Sequence, residues 1–209
     1  LIAIAHPKFR PWLVEEAKKT GLIYQDQVFI PGEKGRYPEE LEVYRTTHAG
    51  FKVFFRPIRM NDEARLKDFA YSLSDNSLYR RFISARKHIP HEILQELVSI
   101  DYTREMAIVA TVGKEDNQEI IGVGRYFIDE NKHSAEVAFV VGDAYQQKGI
   151  GTELLSYLTY LAKRQGLLGF TAEVLADNKP MLTVFERGGF DIVKRNMAGI
   201  YEMTMAFKD

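Results

Sequence analysis

Apolar and polar positions follow two alternating periods over most of this chain. Met106 to Val112 and Glu119 to Ile128 carry the β-branched and alternating texture of strands, and the polar, turn-forming run Gly113–Gln118 between them predicts a hairpin. Ser134 to Val141 predicts a third strand, with Ala135, Val137, Phe139 and Val141 on one face and Glu136, Ala138 and Val140 on the other. That alternation leaves a single carboxylate on an otherwise apolar face. The period then changes: Ile150, Leu154, Leu155, Leu158, Leu161 and Ala162 recur at helical spacing until Gly166 stops the run. A strand from Phe170 to Leu175, a helix from about Lys179 to Arg187, and closing strands at Phe190–Lys194 and Ile200–Phe207 complete the pattern. Upstream, Phe51–Ile58 is β-rich and ended by Pro57, and helices dominate from Asn61 to about Ser99. The order is β, helices, β-β-β, α, β, α, β-β.

Before Phe51 the regularity fades. Leu1–Ala5 reads as a short strand, about Pro11 to Lys19 as a helix, and Gly21 as its stop. Phe29–Pro38 concentrates Pro, Gly and charge, which serves either a linker or an extension wrapped on the domain. The expected division is residues 1–45 as tail and linker and residues 50–209 as the principal domain. Composition allows this: 209 residues, 45% hydrophobic and 12% aromatic, suffice for one core plus an appendage. The formal net charge of -1, with both signs mixed, supplies no basic face for nucleic acid or an anionic membrane. With no cysteine, disulfides, thiolate metal sites and cysteine nucleophiles are excluded, and a cytoplasmic setting is the expectation. No apolar run is long enough to span a bilayer. The first residues lack Met and a basic n-region, so the chain reads as cut from a longer polypeptide.

Candidate chemistry sits where the third strand feeds the long helix. First-turn N–H groups lack intrahelical partners and the helix dipole is positive there, so a strand–loop–helix junction can bind an anion. Gln146–Gly151 occupies that junction, with Gly149 and Gly151 free of side chains and Lys148 as a nearby cation. The spacing is neither the GxxxxGK[ST] of a Walker loop nor the GxGxxG of a dinucleotide fingerprint. By itself this Gly-x-Gly is accounted for better by a plain tight turn.

The longer run from Ala135 to Gly151 resembles motif A of the GNAT superfamily of N-acetyltransferases, Q/R-x-x-G-x-G/A, with Gln146, Gly149 and Gly151 in the marked places. Asn178–Phe190 is similar to that family's Asn-initiated helix ending in Gly-Phe. Ser77–Phe82 and Ile100–Ala107 look like segments of the bacterial protein-lysine acetyltransferases that act on acyl-CoA synthetases. Leu1 to Ala17 is similar to the tail of acetyl-CoA hydrolases/transferases, which implies a fusion with such a domain upstream. The resemblance implies an α/β fold of GNAT type: a mixed, twisted sheet of six to seven strands with helices on both faces, splayed at the strand bearing Glu136. It implies acetyl-CoA as cosubstrate, no metal, and an amine acceptor, in particular a protein lysine. Glu136 becomes the general base, and backbone N–H groups within Phe139, Val140 and Val141 become the oxyanion donor and pantetheine partners. Gln146, Gln147, Lys148, Gly149, Ile150, Gly151 and Thr152 surround the diphosphate, and Asn178 reaches the pantetheine arm or caps its helix.

One position departs from the family. Many members carry a tyrosine seven residues after the Asn to protonate the leaving thiolate, and here it is Phe185, packing beside the coenzyme or in the core. Tyr145 and Tyr201 are possible substitutes that spacing does not support. A thiol with a pKa of about 8.5 leaves tolerably as thiolate, so turnover need not be lost. Two other readings stay open: a small-amine acetyltransferase, and an acetyl-CoA-sensing module of a fused enzyme. The tyrosines and arginines from Tyr71 to Arg86 serve either an acceptor pocket or an amphipathic helix face. His88, His91 and His133 read as loop histidines, and His6 has no assigned role.

Overall fold

A computed structural model of the chain describes residues 9–22, 37–83, 89–114, 117–129 and 131–208. The expected strand Leu1–Ala5, His6, His88 and the linker residues 29–36 lie outside them. Among the described residues eight strands form one sheet in the order β1-β2-β3-β4-β5-β6-β8-β7: β1 Val43–Thr46, β2 Lys52–Pro57, β3 Glu105–Val112, β4 Glu119–Asp129, β5 Ser134–Val141, β6 Gly169–Leu175, β7 Phe190–Met197 and β8 Ile200–Phe207. Every neighbouring pair is antiparallel except β5 and β6. A parallel pair needs a crossover, which the long helix α5 (Ile150–Arg164) supplies. The other helices are α1 Arg10–Lys19, α2 Glu63–Ser72, α3 Asp75–Phe82, α4 His91–Val98 and α6 Lys179–Glu186.

The alternation read from the sequence sorts side chains onto two faces. On β3, Met106, Ile108 and Ala110 join α5 in one core, while Ala107 and Val109 join α2 and α4 in another. On β5, Ala135, Val137 and Phe139 face α5, and Val140 packs on the opposite side. Helices therefore cover both faces, as expected. The eighth strand is β1, which begins inside the stretch read as tail and linker and ends just beyond it. It pairs with β2 through a tight turn in which Thr47 N–H donates to Phe51 O at 2.9 Å and Gly50 N–H to Thr47 O at 2.8 Å. Arg45 on this strand reaches Glu153 of α5 at 3.3 Å.

Among the described residues no helix is long and apolar enough to cross a membrane, and no group of three or more His, Cys, Asp or Glu is placed to hold a metal ion.

Candidate active site

The sheet opens where β5 and β6 part. Their ladder comprises three pairs, Ser134–Gly169, Ala135–Phe170 and Glu136–Thr171, although β5 continues to Val141 and β6 to Leu175. Gly142 N–H donates to Ile121 O on the β4 side at 2.9 Å. By the two-residue repeat of a strand, the N–H groups of Phe139 and Val141 point the other way, toward the gap. Past Glu136 that edge has no strand to pair with, so it can receive the amides of an extended ligand.

The mouth of α5 closes one end of the gap. Gln147 and Gly149 both have left-handed backbone, at φ 62 and 81°. This curls the loop so that the helix starts at once on Gly149, and the first intrahelical bond is Glu153 N–H to Gly149 O, 3.1 Å. The N–H groups of Gly149, Ile150, Gly151 and Thr152 thus have no partner within the helix. They face a cleft of about 410 Å³ lined by β5 from Phe139 to Val141, the loop and first turn of α5, and α6.

Helix α3 forms another wall and is tied to the end of β5. Asp143 accepts from Ser74 N–H at 2.9 Å and from the Ser74 and Ser77 hydroxyls at 2.8 Å each. Burial pushes its carboxyl up, but those three donors outweigh it and hold Asp143 below the usual carboxylate range. Gln146 Nε2 donates to Ser77 Oγ at 3.3 Å and Val141 O at 3.2 Å, joining loop, helix and strand. Arg80 and Arg81 of α3 line the cleft, as does Arg187 at the end of α6. Burial, then the nearby Arg125, lowers the Arg81 guanidinium to about 10, and Glu136 opposes that shift.

Most of the residues singled out from the sequence meet here: Phe139, Val140, Val141, Gln146, Gln147, Gly149, Ile150, Gly151, Thr152 and Asn178 all line the cleft. Asn178 is buried and caps α6, its Oδ1 accepting from Met181 N–H at 3.4 Å. Three of the expected residues, Lys148, Phe185 and Glu136, do not line the cleft. Lys148 turns away from the cleft because its ammonium is held by Ala144 O at 2.9 Å and lies over the rings of Tyr145 and Phe51, at 4.8 and 5.2 Å. Phe185 is buried against Phe139, ring centroids 5.5 Å apart, and touches only a small side pocket. Tyr145 lines the cleft with its hydroxyl 3.4 Å from the Glu119 carboxylate, and Tyr201 does not line it. Glu136 is exposed on the face opposite α5, at the last paired position before the strands part.

The pattern along the chain did not single out His48 or Arg187, which reach the cleft from the β1–β2 turn and the end of α6. His48 stands in no motif, and Arg187 falls within the Asn178–Phe190 segment without being one of its marked residues, so no local signal points to either.

Known proteins are similar to this chain in sequence and fold. The model of the acetyltransferase (GNAT) family matches residues 76–190. An acetyltransferase named Pat from Mycolicibacterium smegmatis is 34% identical over 145 residues, covering 69% of this chain and 43% of the relative. An acetyltransferase of Pseudomonas aeruginosa is 30% identical over 132 residues, 63% of this chain and 71% of that protein. The crystal structure of the GNAT domain of PAT from S. lividans superposes with a TM-score of 0.75 at 28% identity, covering 82% of this chain and all of that domain. The chain thus spans less than half of the mycobacterial relative, but the whole of the isolated S. lividans domain.

Proposed function

The chain belongs to the acetyltransferase (GNAT) family, and from that premise we propose that it moves acetyl from acetyl-CoA directly to the ε-amine of a protein lysine, with Glu136 as general base. The observation that carries the proposal is the parting of β5 from β6 immediately after Glu136, beside the unpartnered N–H groups of α5. The diphosphate fits those N–H groups, and the pantetheine arm fits the free edge of β5. This delivers the thioester to the gap next to Glu136. A lysine amine of ordinary pKa, about 10.4, is almost wholly protonated at neutral pH, so a proton acceptor is required. Exposed Glu136 is open to an approaching acceptor on the face away from α5.

In the transfer step the amine nitrogen attacks the thioester carbon, and a β5-edge N–H, that of Phe139 or Val141, stabilises the oxyanion. The C–S bond breaks as the N–C bond is completed. The amine proton passes to Glu136, directly or through water, and CoA leaves as thiolate, to be protonated from solvent. Phe185, buried in the core, supplies no acid to that thiolate, which a thiol of pKa about 8.5 tolerates.

A lysine acceptor is supported by the relatives named Pat and by the likeness of Ser77–Phe82 and Ile100–Ala107 to protein-lysine acetyltransferases. Phe185 favours a second reading, a domain that binds acetyl-CoA and reports its level with little transfer. For the front of the chain we keep the assignment to the tail of an acetyl-CoA hydrolase/transferase-like domain, ending before the sheet begins at Val43. Incubating the protein with isotopically labelled acetyl-CoA and a cell extract, followed by mass spectrometry, tests the main reading. Labelled lysines on a small set of proteins are expected; labelled small amines alone, or tight binding with no transfer, would replace it.

A further inference from the structure

His48 sits at the tip of the β1–β2 hairpin, exposed on the rim of the donor cleft and outside the residues 76–190 that the family model matches. Its ring stands against the backbone of Gly149. A Cβ built on that glycine would fall 2.7 Å from His48 Cε1 and 2.9 Å from Nδ1. The hairpin that carries the ring is fastened to α5 and the loop before it at three places. Thr47 is buried, with its own Cβ 3.2 Å from the same point; Arg45 reaches Glu153 in the first turn of α5; and Phe51 lies under the Lys148 ammonium. An imidazole is therefore held beside the four unpartnered N–H groups at the mouth of α5. Neither of its nitrogens has a hydrogen-bond partner among the described residues. The basic side chains lining the cleft are His48, Arg80, Arg81 and Arg187, and no described Asp or Glu lines it. Such a wall suits an anion with more charge than a thioester arm carries.

We propose that His48 is a donor-binding residue that hydrogen-bonds a phosphate oxygen of the CoA thioester beside the α5 mouth. The enzyme thereby depends on the phosphorylated nucleotide end of its donor and not on the acyl-pantetheine arm alone. This rests on the donor site proposed above. An imidazole N–H is available in either neutral tautomer and in the cation, so the contact needs no particular protonation state. The contribution of a hydrogen bond to a charged group corresponds to about a tenfold to hundredfold change in affinity.

The test is calorimetric titration of the wild-type protein, His48→Ala and His48→Gln with two probes: CoA, and adenosine 3′-phosphate 5′-diphosphate, which carries all the phosphates and no pantetheine. His48→Ala is expected to weaken both about tenfold or more and by the same factor, with His48→Gln recovering part of the loss through its amide N–H. Equal affinity of wild type and His48→Ala for both probes overturns the proposal. So does a loss confined to CoA, which would place His48 on the pantetheine arm. A thermal midpoint lowered in His48→Ala together with no recovery in His48→Gln would assign the residue a structural role and overturn it too. Failure of the wild-type protein to bind CoA at all would instead remove the donor site itself.

Discussion

Replacing Gly149 by alanine puts one methyl group at the most constrained point of the cleft, and its cost can be worked from the geometry. The residue has φ 81°, where an L side chain is strained by about 1–2 kcal/mol. The new Cβ would lie 2.7 Å from His48 Cε1 and 3.2 Å from Thr47 Cβ. His48 can rotate away at small expense because it is exposed. Thr47 is buried in a hydrogen-bonded turn and must move with its hairpin. A total of about 2 kcal/mol follows, and for a chain of this size each kcal/mol lowers Tm by about 2–4 °C. Gly151→Ala is the matched control. Its Cβ would meet nothing closer than Phe139 Cε2 at 3.5 Å, an ordinary contact, and alanine is the better helix former by up to about 1 kcal/mol. Differential scanning calorimetry should show Gly149→Ala melting about 4–8 °C below wild type and Gly151→Ala melting at or above it. Calorimetric titration should show that Gly149→Ala also binds CoA more weakly, since it displaces both the hairpin and the first N–H groups of the helix. If Gly149→Ala melts with the wild type, or if both variants fall equally, the left-handed cap that shapes this mouth is wrong.

Three further outcomes are expected. Glu136→Gln should lower kcat more than tenfold in a steady-state transfer assay while the Kd for CoA hardly changes, because the carboxylate lies exposed on the face away from α5 and not at its mouth. Asp62→Asn should cost about 3–5 kcal/mol in urea unfolding, because fully buried Arg56, now held by Asp62 at 2.6 and 2.8 Å, would keep its charge without a counter-ion. Burial pushes the Asp62 carboxyl up, yet the hydrogen bonds from Arg56 and Arg59 N–H and the charges of Arg56 and Arg65 win and lower it. A carboxyl depressed in the folded state stabilises above its unfolded pKa of about 3.9, so wild-type stability should fall as pH drops below about 4. Asp143→Ala should lower Tm by releasing the three donors from Ser74 and Ser77; since the Asp143 carboxyl is likewise depressed, the gap to wild type should be full at pH 6 and narrow below about pH 4.

Strand β5 and helix α5 were legible in the chain because their signals are local. Ser134–Val141 alternates over its whole length: Ala135, Val137 and Phe139 are buried, Ala138 and Val140 on the other face are half-buried, and Glu136 is exposed. The α5 stripe from Ile150 to Ala162 is buried throughout, and Gln146, Gly149 and Gly151 sit at the junction where a helix must begin with bare N–H groups. Period, helix start and motif therefore determined the heart of the cleft without reference to any distant residue. Strand β1 was not legible. Its four residues include none that is buried, and it exists through pairing to β2 and the bond from Arg45 to Glu153, 108 positions away. The same limit explains Lys148, whose neighbours in sequence place it at the mouth but whose ammonium goes to Ala144 O and the rings of Phe51 and Tyr145. Phe185 falls at a helix position that could face ligand or core, and only its packing on Phe139 decides for the core. His48, Arg80, Arg81 and Arg187 converge on one cleft from three separated segments. Backbone periodicity is a property of neighbours along the chain, whereas the charge around a cleft is a sum over side chains that only the closed sheet brings within reach of one another.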